Sequence, residues 1–473
     1  MTLFKGIKER KIKLGIVFVS LVVETAAFLY SLFGPEEGLM LWKLNDMLQI
    51  TFRVDTMSRI FGTLVAVVWL LVGCFAFEYM KHEESEERFF GFYLVVEGTL
   101  AALTMADNMI TYYIFFEAMT LTSLPLVLHE MHKAAVMAGL KYLFYSIAGG
   151  FMALLAVFLL ANGGGLGSFT AGGILDPASL AERPGAVLAA AMLLVLGFGT
   201  KAGMFPMHGW LPTAHPEAPA PASAVLSGII TKMGVLGIIR GIYYVIGPSF
   251  LKGTWVQTVW LILSISTVFM GSMLAYREKV MKKRLAYSTV SQVSYILFGL
   301  AVMDPAAFTG AIAHVIFHSL VKNTLFLAAG AIIYKTGKTL IADLKAIGKE
   351  MPVVIWCFTL VSLTLVGIPP TSGFVSKWYL ATGALASGVP VFSWLGPVIL
   401  LVSALLTAGY LLPVTIHGFF PGADFDYSTL KKKEPTLWML IPMVIMTAGA
   451  VIYGIFPESL LTVIRSAAQV LFG

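Results

Sequence analysis

Residues 197–221 read GFGTKAGMFPMHGWLPTAHPEAPAP, and residues 367–377 read GIPPTSGFVSK. In each, a long apolar run is cut by glycine and proline beside a lysine, Lys201 in the first and Lys377 in the second. Proline removes a backbone donor and glycine admits positive φ, so neither run continues as one straight helix. A lysine at the end of an ordinary span lies near the surface, whereas a helix that breaks and re-enters keeps it near the midplane. Gly203 and Pro206 mark the first break; Pro369, Pro370 and Gly373 mark the second. Two such interruptions are the sign of transporter-style discontinuous helices, and their corresponding features suggest two related halves.

The rest of the chain supplies the membrane that such helices need. Hydrophobic residues make up 58% and charged residues 12% of it, against about 25% charged residues in soluble domains. Apolar stretches recur along the whole length at the roughly 20 residues that cross a bilayer core. Only helices and closed barrels satisfy the backbone in lipid, and the short alternating segments of a barrel are missing. The expected fold is an all-α polytopic bundle, residues 1–473 forming a single transmembrane domain. Spans fall near 13–33, 57–79, 88–106, 108–128, 138–161, 187–204, 221–245, 254–275, 285–302, 307–335, 352–384, 393–416 and 435–454, about thirteen in all. The first is too long for a cleavable signal and lacks a small-residue cleavage site. Residues 163–183 form the longest external link, and the stretch 456–472 reads as an interfacial helix or a short extra span.

Charge placement orients this bundle. With the amino terminus inside, 21 of the 32 Lys and Arg residues fall on the inner side, 6 outside and 5 within spans. The inner set includes Lys5, Lys8, Arg10, Lys11, Lys13, Arg277 to Arg284, the Lys335 to Lys349 link and Lys431 to Lys433. Short cytoplasmic links collect basic residues in this way, so the net charge of +6 records topology rather than nucleic-acid binding. The setting expected is a prokaryotic cell membrane, with the carboxyl terminus outside. Cys74 and Cys357 stand alone in apolar runs and read as core packing. No iron–sulfur, zinc or haem motif can be built from them, so no cofactor or metal is expected and redox chemistry belongs to another chain.

Five basic residues and one acid read as lying where hydrocarbon should be: Glu117, Lys201, Lys232, Arg240, Lys322 and Lys377. Each ionised group there costs about 2.5 to 3.5 kcal/mol, so such residues face partners or water and mark ion pathways. Glu117 sits mid-span in YYIFFEAMTLTSLPL, and its expected counter-ion is a lysine of another helix. A static pair that only locks two helices is the bland alternative, although buried pairs add little stability. His314, His318 and Lys322, spaced by four, share one helical face. Two histidines at that spacing suit a metal, but no third ligand is near and Lys322 repels a cation; proton transfer suits the titrating groups better. Histidines satisfied by neighbouring backbone remain the plain alternative, as they do for His208 and His215.

Four stretches then carry a resemblance: GTKAGMFPMHGWLPTAHPEAPAPASAVLSGIITKMG, KKRLAYSTVSQVSYI, HVIFHSLVKNTLFLAAG and GIPPTSGFVSK. Together they resemble the antiporter-like membrane subunits shared by respiratory complex I, Mrp-type cation/proton antiporters and group 4 membrane-bound hydrogenases, over roughly residues 50–415. The HPEAP wording is more similar to the hydrogenase and archaeal-type branch. The resemblance implies two inverted five-helix repeats, residues 88–245 and 254–416, each a half-channel with a broken helix. It also implies that Glu117 pairs with Lys201, that Lys232 is the connecting lysine, that His314, His318 and Lys322 form the linking helix, and that Lys377 ends the second half-channel. Members often have fourteen helices; this chain reads one span short at its amino end.

The function expected is proton translocation, with Na⁺/H⁺ antiport as the alternative, by a non-catalytic subunit of a redox-driven complex of the hydrogenase or complex I type. A subunit of an Mrp-type antiporter without redox activity is the second reading, and an inert scaffold the third. Partners expected are the lipid bilayer, neighbouring antiporter-like subunits, other membrane subunits and a peripheral redox module.

Overall fold

The computed structural model describes residues 9–34, 38–45, 48–422, 425–426, 428 and 430–473. Lys5 and Lys8, placed on the inner side from sequence, lie outside the described residues.

Helices of seven residues or more are α1 (Arg10–Phe33), α2 (Thr56–Tyr79), α3 (Glu86–Met105), α4 (Met109–Val127), α5 (Lys133–Ala161), α6 (Pro184–Ala202), α7 (Leu211–Glu217), α8 (Ala220–Ile246), α9 (Trp255–Arg277), α10 (Met281–Val302), α11 (Pro305–Thr336), α12 (Pro352–Val366), α13 (Ser372–Ala386), α14 (Phe392–Phe419), α15 (Leu437–Ile455) and α16 (Glu458–Phe472). Among the described residues 12 helices are long and apolar enough to cross a membrane. The broken pair α12–α13 adds one further crossing, in keeping with the thirteen read from sequence. Starts follow local chemistry. Asp55 accepts from Ser58 N–H at 2.8 Å, Asn108 from Thr111 N–H at 2.8 Å, and Asp304 from Ala306 N–H at 2.8 Å, each satisfying an orphan donor of the first turn.

Burial sorts the helices. α8, α10 and α11 are buried on nearly all sides, whereas α1, α14 and α15 turn most of their surface outward. α11, the longest at 32 residues, is the hub and packs against α2, α8, α10, α12, α13, α15 and α16. Close approach depends on glycine at its crossings. A Cβ on Gly228 of α8 would lie 1.8 Å from Asn323 Nδ2, and one on Gly310 would lie 2.6 Å from the backbone nitrogen of Leu380 on α13. These contacts bring α8 and α13 to the faces of α11 that carry the polar residues.

Two features were not foreseen. A hairpin, β1 (Leu39–Lys43) and β2 (Gln49–Phe52), covers the end where α3 meets α4, with Asn108 donating to Thr51 Oγ1 at 2.7 Å. The link 163–183 holds a short helix, Pro177–Glu182, and its backbone bonds to Tyr243 and Val245 at the end of α8. α16 has 15 residues, about 22 Å of helix, too short to span. Its Leu461, Ile464, Ala468 and Leu471 pack inward while the opposite face stays exposed.

Candidate functional site

Both interruptions are present. α6 ends at Gly203, which adopts φ 82° at the position that favours glycine, and the chain turns through a cis Phe205–Pro206 bond into α7. α12 ends at Gly367, φ 91°, and passes through a cis Pro369–Pro370 bond into α13. Lys201 lies in the last turn before the first break, and Lys377 in the second turn after the second.

Lys201 is 1% exposed. Its Nζ donates to Thr120 Oγ1 at 2.8 Å, Tyr142 Oη at 2.8 Å and Ser146 Oγ at 3.0 Å. It also lies 4.4 Å from the centre of the Tyr142 ring. Glu117, one turn before Thr120, acts on the ammonium electrostatically but makes no ion-pair contact with it. Its Oε1 is buried with no hydrogen-bond partner, in a notch left by Gly150, where a Cβ would lie 2.1 Å from that oxygen. Glu117 and Lys201, expected to pair, are here held apart, the ammonium occupied by hydroxyls.

Lys232 is fully buried on α8, just after a π-helical stretch at Leu226–Ile230. Such stretches free backbone groups and recur at functional sites. Here the carbonyl of Ser227 accepts from Lys232 Nζ, while the Ser227 hydroxyl meets Thr289 Oγ1 at 2.6 Å. Thr289 in turn donates to the Leu285 carbonyl at 3.0 Å, and that carbonyl accepts from Lys322 Nζ at 3.1 Å. Lys232 and Lys322 are thus joined through α10 by a run of hydrogen bonds.

On α11, His314, His318 and Lys322 are all buried. The rings of His314 and His318 are 5.8 Å apart. His314 Nδ1 meets Ser376 Oγ at 2.9 Å, and both His314 and Lys377 flank the Tyr295 ring, at 5.5 and 5.0 Å from its centre. Lys377, half-buried, donates its ammonium to the carbonyls of Leu365 at 2.6 Å and Val366 at 2.9 Å. Those carbonyls belong to the last turn of α12, the negative end of its dipole. The structure brings His314 to the second break, with Lys322 two turns away. The groups therefore follow one another along the core as Lys232, His318, His314, Lys377, with Lys322 joined to Lys232 through α10, rather than as His314, His318 and Lys322 leading on to Lys377.

Several buried polar atoms along this line have no partner in the protein: His314 Nε2, both ring nitrogens of His318, both amide atoms of Gln292, and Asn323 Oδ1. Buried polar groups are almost always satisfied, by ordered water where no side chain serves. Among the described residues no group of three or more His, Cys, Asp or Glu could hold a metal ion. Cys74 and Cys357 are free.

Sequence reading missed other charges. Arg240, read from sequence as a buried charge with no partner assigned, forms a bidentate pair with Asp55 at the head of α2, donates to Ser58 Oγ at 3.1 Å and stacks between Phe169 and Tyr244. Burial works against charge on Asp55, but Arg240 and the Ser58 hydrogen bonds outweigh it and hold the carboxyl down at about 2. The N-cap pattern of Asp55 and Ser58 was the available signal. Lys282, assigned to an inner link, is buried and donates to the carbonyls of Pro216 at 3.0 Å and Ala218. Glu117 is not the lone acid within the spans: Glu24 lies in α1 and Glu97 in α3.

A bundle with two broken helices, each presenting a lysine to a buried polar core, is an ion-transport type of membrane protein. Residues 106–419 match the family described as NADH:quinone oxidoreductase/Mrp antiporter, TM, and residues 45–90 match NADH-Ubiquinone oxidoreductase (complex I), chain 5 N-terminus. The chain belongs to this family of ion-translocating membrane subunits. It is 31% identical over 427 residues to NADH-quinone oxidoreductase subunit N of Desulforudis audaxviator (strain MP104C), covering 87% of this chain and 83% of that one. It is 30% identical to Hydrogenase-4 component B of Escherichia coli (strain K12), covering 87% of this chain and 63% of the longer relative. Its fold matches a chain of the Mrp complex from Dietzia sp. DQ12-45-1b with a TM-score of 0.83, at 22% identity, over 98% of this chain and 93% of that one.

Proposed function

We propose that this chain carries protons across the membrane as one of several membrane subunits of a redox-driven complex, along a core line running from Glu117 and Lys201 through Lys232, His318 and His314 to Lys377. The observation that carries the reading is the row of titratable groups, buried on α6, α8 and α11 and half-buried on α13, flanked by buried polar atoms with no partner in the protein. Groups this costly in hydrocarbon persist where they serve charge movement. Residues 88–245 and 254–416 would each form a half-channel around one broken helix, and α16 would lie along the interface on the outer side. The basic end of the bundle would face the cytoplasm.

Glu117 and Lys201, held apart by hydroxyls, suit a switch. A charge change in a neighbouring subunit would draw the carboxylate toward or away from the ammonium, and the lysine proton would leave toward Lys232. Moving one charge against 100 mV costs about 2.3 kcal/mol, which this chain does not generate; an attached redox module would supply it. Similarity to both redox-linked and antiporter relatives keeps an Mrp-type Na⁺/H⁺ antiporter as the second reading. The subunits that co-purify with the chain separate the two.

The test is ion transport by the assembled complex in vesicles. Glu117→Gln or Lys201→Ala should abolish pumping while leaving the complex intact; unchanged pumping in either would refute the switch.

A further inference from the structure

The bundle holds a second buried titratable group that the core line does not use. Glu24 is near the middle of α1, and Glu97 just past the middle of α3. The two carboxyls lie within hydrogen-bonding reach of each other, and Thr25 Oγ1 donates to Glu97 Oε1 at 3.0 Å. Glu97 is 1% exposed and Thr25 is 5% exposed. The Oε2 atoms of both glutamates are buried and meet no donor in the protein. Tyr93 on α3 lies near Glu97, and among the described residues no lysine, arginine or histidine acts on either carboxyl.

Ionised carboxylates only accept hydrogen bonds, so two facing each other lack the donor that would join them. Two like charges in a low-dielectric site also cannot both persist. A single proton resolves both problems, because the protonated carboxyl donates to its neighbour. A metal cation fits poorly: hard cations take six or more oxygens, and this site offers two carboxyls and one hydroxyl.

We propose that Glu24 and Glu97 form a membrane-embedded site that binds one proton, shared between the two carboxyls and steadied by the Thr25 hydroxyl. α1 packs on α2 and α3 at the flank of the bundle, away from α8, α11 and α13. The site is thus separate from the core line, and its test is independent of that reading.

Dicyclohexylcarbodiimide, an apolar reagent, adds a protonated carboxyl across its C=N bond and leaves a stable N-acylurea. Glu24 is partly exposed on the flank, so the reagent can reach the pair. Applied to membranes holding the full complex at neutral pH, it should give one adduct per chain, on Glu24 or Glu97. Glu24→Gln and Glu97→Gln are near-isosteric and should assemble. In each, the new amide donates to the remaining carboxylate in place of the proton, and labelling should fall about tenfold. Infrared spectra of the same samples should lose one protonated-carboxyl band in each variant. Adducts on both glutamates of one chain, protection by Na⁺, or absence of both label and band in the wild type would overturn the site.

Discussion

The two breaks use one device with opposite chemistry. At the first, the lysine precedes the glycine, and the carbonyl of Thr200 at the end of α6 accepts from both Gly203 N–H at 3.1 Å and Trp210 Nε1 at 2.9 Å. Lys201 is left to the hydroxyls of Thr120, Tyr142 and Ser146, with Glu117 nearby. At the second, the lysine follows the glycine and itself takes the freed carbonyls of Leu365 and Val366. No acid is needed there, because a helix C-terminus is already negative. A cation held by hydroxyls and a distant carboxylate responds to outside charge; one held by fixed backbone dipoles responds less. The first half thus suits the switch and the second a terminal proton store.

Arg240 sets the upper bound for this comparison, since its partner is a carboxylate in direct contact. Asp55→Ala leaves the guanidinium buried and unpaired, and should cost about 3–5 kcal/mol of stability, read as a fall in thermal midpoint of the assembled complex. Asp55 ionises at about 2 in the fold, below the roughly 3.9 of an unfolded chain. Its contribution should therefore be complete above about pH 4 and fade as pH falls through about 2.

Gly150→Ala sharpens the first half alone. The added Cβ would lie 2.1 Å from Glu117 Oε1, so the carboxylate must move, with an overpacking cost of about 1–3 kcal/mol. Pumping should drop with it, and an unchanged rate would mean that the carboxylate position is irrelevant.

Lys201→Met and Lys377→Met separate the two modes. Both should stop transport, but only Lys377→Met strands helix-end carbonyls, at about 1–3 kcal/mol. The hydroxyls around Lys201 can regroup, as Tyr142 and Ser123 already do at 2.8 Å. Equal thermal midpoints in the two variants would contradict the distinction. The smallest effect expected is Trp210→Phe, which removes one bond to Thr200, about 0.5–1.5 kcal/mol, with transport retained.

Fold and breaks were legible because hydrocarbon imposes simple rules: helix length, glycine and proline at interruptions, basic residues in short links. The span expected at 352–384 proved to be α12 and α13 for that reason. The spacing of His314, His318 and Lys322 gave one face correctly. What spacing could not give was direction, because the approach of α13 at Gly310 decides that His314 meets Ser376, one residue before Lys377. Partners across long separations were equally hidden: Asp55 and Arg240 lie 185 residues apart. Glu24 and Glu97 lie within their spans, but neither adjoins a break or a lysine, so the sequence alone gives them no signal beyond burial. The β1–β2 hairpin follows from packing over the α3–α4 turn and leaves little trace in a short polar–apolar link.

A density map of the assembled complex that resolves water tests the central claim most directly. The account predicts ordered waters linking Lys201 to Lys232 and bridging His318, His314 and Gln292 on the way to Lys377. Side chains sealed from one another by apolar packing, with dry gaps between Lys201 and Lys377, would contradict it.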